Sequence, residues 1–312
     1  MSVLSKPYFH NEEAAFAYLE GVIWPEGPTC PHCGATDRIS SIKPNPEKRV
    51  RIGLKKCGHC KGQFTVKVGT VFEHARMPLH KMLQAVYLMT SSKKGISAHQ
   101  LHRVLEVTYK TAWFLAHRIR EAMRSGDLAP FGSNGGAVEV DETFIGRKAG
   151  VPVKGAYHHK MAVLGLIDRE TGRSRLFHVE KAAGKLIQPI VLANLAREAR
   201  LMTDENTMYR KIGRQFAEHS AVLHYNKEYV RGDVTTNTVE GAFSIFKRGM
   251  RGVYQHCAEK HLHRYLAEFE FRYSFREANG YNDKDRSTEA VKGIAGKRLT
   301  YRSAGIRAAE AL

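Results

Sequence analysis

The sequence predicts a mixed α/β domain that follows a small cysteine-rich module and a helical segment. Three observations support this prediction. Strand-like and helix-like stretches alternate after residue 137, and four of the five cysteines lie close together near the N-terminus. Between the cysteine-rich module and the alternating region, apolar residues recur at helical spacing. We expect five parts in the 312-residue chain. They are an N-terminal helix (1–27), a cysteine-rich module (28–72), a helical segment (79–125), the α/β domain (137–275) and a basic tail (276–312).

Turn residues and apolar spacing set the expected elements. The module ends in Phe64-Thr65-Val66-Lys67-Val68, which alternates like a strand, and the stretch FGSNGG at 131–136 has the composition of a linker. In the last helix of the domain, Arg264 and Arg272 are expected to face outward. The domain itself is expected to contain, in order, strands at 137–145, 159–168 and 174–180, a helix at 184–198, a strand at 200–204, a helix at 208–217, a strand at 221–225, and helices at 238–250 and 258–275.

The charge balance favours a polyanionic partner. Lys and Arg number 49 against 31 Asp and Glu, which gives a net charge of +18. Nucleic acid is the first expectation and an anionic membrane surface the second. No apolar run approaches the roughly 18 residues that a membrane-spanning helix needs. Acidic residues also occupy the N-terminal stretch where a signal peptide would be apolar. We therefore expect a cytoplasmic protein in a reducing compartment.

Four cysteines predict a zinc ribbon. Cys30 and Cys33 form one Cys-x2-Cys pair, and Cys57 and Cys60 form the other. Two such pairs suit tetrahedral zinc, and four sulfur ligands leave no open position, so the metal is expected to be structural. Unliganded or redox-active cysteines are the alternative, and the spacing alone does not separate zinc from iron. Cys257 stands apart and is interpreted as a small apolar residue.

A helix-turn-helix segment is predicted between residues 96 and 120. Ser97 and Thr108 have the residue types that cap helix N-termini. The second helix would present Tyr109 and Lys110 near its start, where recognition helices contact bases. An ordinary helical hairpin that buries an apolar face is the alternative interpretation.

Acidic residues occur at three positions that a metal site could use. Strand alternation places Glu139, Asp141 and Thr143 on one face, Asp204 ends a second apolar strand, and Glu240 lies on a later helix. Carboxylates from two strands and a helix can hold two divalent cations about 4 Å apart, and Mg²⁺ prefers such oxygen ligands. Each acid taken singly could instead cap a helix or form a surface ion pair.

The order of these motifs resembles a known family. The two Cys-x2-Cys pairs, the helix-turn-helix segment, VEVDETFIG, TDE, TTNTVEGAFSIFKRG and HLHRYLAEFEFRYSFR follow one another as in bacterial insertion-sequence transposases of the ISXO-like kind. The resemblance extends over residues 12–302. It implies an RNase H-like catalytic domain that cleaves and transfers DNA strands with Mg²⁺ or Mn²⁺. It also implies double-stranded DNA partners, namely element ends and target, a homodimer or higher assembly on DNA, and a location at the bacterial nucleoid.

The resemblance also implies roles for individual residues. Asp141, Asp204 and Glu240 correspond to the catalytic, metal-binding triad. Asn237, one helical turn before Glu240, is a further candidate for the catalytic site. Thr235 stands where a histidine is expected two residues before this asparagine.

Basic residues near the triad are candidates for phosphate contacts. Lys247, Arg248 and Arg251 follow Glu240 on the same helix, and Lys154 precedes the second strand. A solvated charged face is the alternative reading of each of them. Two other functions compete with transposition. A non-catalytic DNA-binding regulator would use only the ribbon and the helix-turn-helix segment, and a plain nuclease or junction resolvase would need neither.

Overall fold

The computed structural model describes residues 2–126, 129–153, 155 and 157–300. Lys154 and the last twelve residues of the expected tail lie outside the described residues. The chain divides into two compact units, the first formed by Met1–Arg124 with Tyr281–Leu312 and the second by Ser125–Gly280. Across the described ranges, no helix combines the length and apolar character needed to cross a membrane.

The first unit begins with helices around a small antiparallel sheet. A turn replaces part of the predicted strand Phe64–Val68, because the backbone N–H of Val68 donates to the Thr65 carbonyl at 3.0 Å. The elements of this part are α1 (Glu12–Ile23), β1 (Ile39–Ser41), β2 (Lys55–Cys57), β3 (Gln63–Phe64), α2 (Leu79–Ser91), α3 (Ala98–Leu105) and α4 (Tyr109–Ala122).

Side chains cap the helices of the first unit. The Glu12 carboxylate accepts the backbone N–H of Leu79 at 2.7 Å and of His80 at 3.1 Å, so α1 holds the start of α2. Ser97 caps α3 and Thr108 caps α4, as the sequence predicts. The two helices are thus fixed at both sides of a three-residue turn.

The second unit is built on one mixed sheet. The strand order is β6-β5-β4-β7-β8. The pairs β6–β5 and β5–β4 are antiparallel, whereas β4–β7 and β7–β8 are parallel. A two-stranded hairpin follows the sheet. The elements are β4 (Ala137–Ile145), β5 (Met161–Asp168), β6 (Ser174–Val179), α5 (Gly184–Asn194), β7 (Arg200–Thr203), α6 (Met208–Gly213), β8 (Glu218–Ala221), β9 (Val230–Arg231), β10 (Val234–Thr235), α7 (Asn237–Gly249) and α8 (Leu262–Ser274).

Helices cover both faces of this sheet. Even-numbered residues of β4 such as Val138 and Val140 pack with residues of α5 and α6, whereas the opposite face packs against α7 and α8. Gly165 on β5 lets α7 approach closely, because a Cβ there would lie 2.7 Å from the Phe243 ring. Residues of α7 therefore face the side of β4 that carries Glu139 and Asp141.

Several expectations for the second unit were wrong. The strand expected at 221–225 is instead β8, and His224–Asn226 form a 3-10 turn. In the expected linker, Phe131 is buried in the core and its backbone N–H donates to Asn194. Arg264 and Arg272 on α8 are buried rather than outward.

The buried charge on α8 has a local explanation. Arg272 donates to the buried carboxylate of Glu268, one helical turn earlier. A buried cation is tolerated when such a partner offsets its desolvation. Helical periodicity of apolar residues does not reveal this pair, which is why the outward orientation was expected.

The first unit is completed by a helix from the C-terminal part of the chain. Within the segment expected as a basic tail, residues Asp283–Lys292 form α9, which Asn282 and Asp285 cap reciprocally. This helix packs against α1, α2 and α4. Beyond it, the Ile294 carbonyl accepts the backbone N–H of Val71 at 3.1 Å.

Candidate active site and cysteine cluster

The four paired cysteines meet at one end of the small sheet. Their sulfurs all lie within 4.8 Å of one another. The Cys30 and Cys60 sulfurs are 3.6 Å apart, and those of Cys33 and Cys57 are 3.7 Å apart. Zinc–thiolate bonds of about 2.3 Å in a tetrahedron separate sulfurs by about 3.8 Å, so the cluster fits a structural zinc ion.

The electrostatics of the cluster favour a bound cation. Burial raises the pKa of Cys30, but backbone N–H groups of His32 and Cys33 outweigh it and lower that pKa to about 7. The pKa of Cys33 is lowered by the backbone N–H of Ala35, yet burial and the other sulfurs raise it to about 12. Four thiolates this close repel one another, and a zinc ion would offset that repulsion.

Strand register brings Asp141 and Asp204 together. Strands β4 and β7 are parallel, and Glu139 pairs with Met202. Asp141 and Asp204 each lie two residues beyond this pair, towards the same edge of the sheet, and the charge of Asp204 contributes to the raised pKa of Asp141. Asp141 is in the middle of β4, whereas Asp204 follows the last residue of β7.

Helix α7 reaches this pair through Glu139. The fully buried Glu139 carboxylate accepts the backbone N–H groups of Thr238 at 2.8 Å and Val239 at 2.9 Å, as well as the Thr238 hydroxyl. Arg169 donates to the same carboxylate at 2.7 Å. A negative charge at a helix N-terminus stabilises the helix, so Glu139 fixes the first turn of α7 against β4. Glu240 lies in that turn.

Mutual repulsion marks these acids as one group. Burial, then the charges of Glu142, Asp204 and Glu240, raise the pKa of Asp141 to about 8. Burial also raises the pKa of Asp204, with a contribution from Glu240. Among the residues that the structure describes, the four paired cysteines form a group close enough to hold one metal ion, and the three triad acids do not. The arrangement is a partly buried acidic cluster that a divalent cation would stabilise.

Glu142 is a further acid of this site that was not expected from the sequence. Its carboxylate accepts the Tyr209 hydroxyl at 2.6 Å and the Asn206 side-chain amide at 3.2 Å. Burial raises its pKa, and the charge of Asp204 adds to this effect. Its position next to Asp141 is the one sequence feature that could have indicated a role. Strand alternation places Glu142 on the opposite face from Asp141, and the sequence does not reveal that α6 contacts it there.

His224 is a second residue that the sequence analysis missed. Its Nε2 lies 3.5 Å from a Glu240 oxygen and 3.3 Å from the Thr236 hydroxyl, which also donates to Glu240 at 2.9 Å. The charge of His224 lowers the pKa of Asp204 against the effect of burial. A histidine was expected at position 235; the ring beside Glu240 comes instead from the turn after β8.

The expected phosphate contacts lie on α7 and in the turn directly after it. Burial and the charges of Arg251 and Lys160 lower the pKa of Lys247, while Asp141 and Glu240 raise it, so Lys247 lies between the acids and other basic residues. Arg248 and Arg251 are exposed. Asn237 is the exposed first residue of α7. Within the described part of the chain, no hydrogen bond joins its side chain to the acids.

The remaining two DNA-contact candidates lie in the first unit. Tyr109 and Lys110 are exposed at the start of α4. The Tyr109 ring stacks on His99 of α3, with centroids 4.4 Å apart. The start of α4 therefore presents an aromatic and a basic side chain on the surface of this unit.

Comparison with known proteins finds matches to two transposase domains. Residues 134–274 match a model of the ISXO2-like transposase domain, and residues 10–63 match a model of the transposase zinc-ribbon domain. A relative named "Uncharacterized protein in transposable element ISH50", from Halobacterium salinarum, is 29% identical over 289 residues, which cover 85% of this chain and 91% of the relative. The zinc-ribbon match contains the four clustered cysteines, and the transposase-domain match contains the acidic cluster. Over these two ranges the chain is therefore similar to transposases that carry a zinc ribbon and an ISXO2-like domain.

Proposed function

We propose that the protein is a DNA transposase that binds the ends of its own insertion sequence and catalyses metal-dependent strand cleavage and transfer. The observation that supports this most is the acidic cluster on the sheet. Asp141, Asp204 and Glu240 come from the central strand, the end of its parallel neighbour and a facing helix. Burial, then the charge of Glu142 and those of Asp204 and Glu240, raise the pKa of Asp141 to about 8. A cation at this point would relieve the repulsion.

The proposed catalytic domain is RNase H-like. The first strand of the unit, β4, is central, with two antiparallel strands on one side and two parallel strands on the other. This order and the covering helices are what such a domain requires. Under this proposal the three acids bind two Mg²⁺ or Mn²⁺ ions, which would activate the attacking oxygen and stabilise the leaving oxygen of a phosphodiester.

The side chains around the acids have separate tasks in this mechanism. Lys247 neutralises the scissile phosphate, and Arg248 and Arg251 bind the backbone that continues along α7. His224 and Thr236 fix the orientation of the Glu240 carboxylate. Asn237 is retained as a candidate that contacts substrate or metal when DNA is bound.

Recognition of the element ends is assigned to the first unit. We propose that the zinc ribbon and the α3–α4 pair, acting as a helix-turn-helix, contact duplex DNA through residues such as Tyr109 and Lys110. Joining requires two ends in one complex, so we expect a homodimer or a higher assembly on DNA. Light scattering of the active protein–DNA complex measures this, and a single protein chain per active complex would contradict it.

A strand-joining assay tests the catalytic proposal. The protein is mixed with Mg²⁺ or Mn²⁺ and DNA carrying the sequences that flank its gene, with Asp141→Asn in parallel. Wild type is expected to form joined products, and the variant to bind DNA equally but react at least about a thousandfold more slowly, as expected when a charge that stabilises the transition state is lost. Binding without reaction by either protein would favour the regulator, and cleavage without joining would favour the nuclease.

The raised pKa of Asp141 predicts a stability change. An acid whose pKa is higher in the folded than in the unfolded protein destabilises the fold as pH rises above its unfolded-state pKa. For Asp141 this loss of folding stability is complete once pH exceeds about 8. Without divalent cations, Asp141→Asn is therefore expected to gain about 1–3 kcal/mol over wild type between pH 5 and pH 8. Thermal denaturation measures the gain, and the same offset at both pH values would contradict it. Added Mg²⁺ should stabilise wild type and leave the variant unchanged.

A further inference from the structure

The segment from Leu223 to Val230 exposes aromatic and apolar side chains beside the acidic cluster. Tyr225 is 92% exposed and Tyr229 is 53% exposed, and Leu223 and Val230 are exposed next to them. Single exposed apolar residues are ordinary on protein surfaces, but several in one short segment indicate a binding surface. Tyrosine suits such a surface, since it combines a large flat ring with a polar end.

Hydrogen bonds hold this segment in place. The Glu205 carboxylate accepts the backbone N–H of His224 at 2.7 Å and of Tyr225 at 3.0 Å. Leu223 and Glu228 close the turn, because each donates its backbone N–H to the other at 3.1 Å. The two tyrosines are therefore presented by a fixed frame.

The same frame touches the proposed catalytic site. His224, the residue before Tyr225, lies 3.5 Å from Glu240, and its ring centroid is 5.4 Å from that of Tyr229. Glu205, which holds the turn, directly follows Asp204 in the chain. A ligand that covers Tyr229 therefore lies near His224 and Glu240, and Tyr225 directly follows His224 in the chain.

We propose that Tyr225 and Tyr229 form a stacking surface for an unpaired DNA base adjacent to the scissile phosphate. Base–aromatic stacking is tolerant of sequence, and only an unpaired base exposes its face to a side chain. Lys227 in this segment and Arg231 directly after it are exposed and would bind the neighbouring phosphates. A second copy of this +18 chain would bring like charges against them. This inference rests on the proposed transposase function and adds the DNA structure that the site prefers.

Fluorescence of 2-aminopurine tests the stacking surface in the full-length protein. The probe is placed either in a short unpaired end or inside a blunt duplex of the same flanking sequence. Wild type and Tyr225→Phe are expected to quench the unpaired probe, whereas Tyr225→Ala is not. The alanine variant should bind the unpaired end about tenfold more weakly and the blunt duplex unchanged, as expected for the loss of one stacking contact. Tyr229→Ala should show a smaller change in the same direction.

Three outcomes would overturn the proposal. In the first, Tyr225→Ala binds the unpaired end and the blunt duplex more weakly by the same factor. In the second, wild type binds the unpaired end but does not quench the probe. In the third, wild type self-associates without DNA and Tyr225→Ala does not. The last would identify a second copy as the occupant. An unchanged melting temperature shows that the variants fold. Failure of the transposase function is seen separately, because wild type would then quench the unpaired probe yet join no strands.

Discussion

Cys57→Ser is expected to release zinc and to unfold the small sheet of the first unit. Cys57 is fully buried, and its sulfur lies 3.7 Å from that of Cys33. The backbone N–H of Cys60 lowers the pKa of Cys57, so this thiol is already biased towards the thiolate that zinc binds. Structural zinc contributes roughly 10 kcal/mol to the folding of small domains, far more than three short strands provide.

Zinc content by atomic absorption and proteolysis of residues 28–72 measure this effect. Wild type is expected to hold one zinc per chain and to resist cleavage there, whereas the variant loses both properties. Cys257→Ser is the matched control, since Cys257 lies in the second unit and packs beside a different core. A full zinc complement in Cys57→Ser, or zinc loss in the control, would contradict the assignment. DNA-end binding should fall with the ribbon, because the proposed recognition surface includes it.

Glu139→Gln is expected to lower both the free energy of unfolding and the rate of strand joining, although the buried side chain does not contact the substrate. The carboxylate accepts hydrogen bonds from Arg169, from two backbone N–H groups and from the Thr238 hydroxyl, with no exposed surface. An amide keeps the shape but removes the charge, and its NH₂ group meets donors instead of acceptors. Leaving Arg169 and the start of α7 without this charge should cost about 2–4 kcal/mol.

Urea unfolding measures the stability loss, and Mg²⁺ titration shows whether Glu139 acts through α7. Because Glu240 lies in the turn that Glu139 holds, weaker Mg²⁺ binding should accompany at least about a tenfold loss of joining rate. Glu218→Gln is the control. Glu218 pairs with Arg200 at 2.9 Å at an exposed site, so its loss should cost at most about 1 kcal/mol. Unchanged Mg²⁺ affinity in Glu139→Gln would limit Glu139 to a general stabilising role.

Local sequence patterns predicted much of the second unit. Strand β4 has the predicted bounds, and the alternation along it places Glu139 and Asp141 on the face that α7 covers. Helix α7 buries Val239, Phe243 and Phe246 as its periodicity indicates. These features depend on the two-residue and 3.6-residue repeats, which a sequence displays directly.

Features set by contacts between distant segments were not predictable in this way. His224 reaches Glu240 because the Glu205 carboxylate, just after β7, accepts its backbone N–H and holds its turn. The local sequence at 221–225 predicts a strand instead. Arg272 is buried because Glu268 is buried beside it. Apolar periodicity does not predict helix α9, since most of its residues are polar and only a few, such as Ala290 and Val291, are buried.

The position of α9 has a consequence for how the chain is made. This helix completes the first unit, yet residues Asp283–Lys292 are synthesised after the entire second unit. On the ribosome, the acidic cluster can therefore assemble while α2 still lacks the helix that covers it. Full-strength attachment to DNA ends is then expected only after the ribosome has translated past residue 292. A protein truncated after Gly280 would retain every acid of the cluster but would lose the last helix of the unit that carries the ribbon.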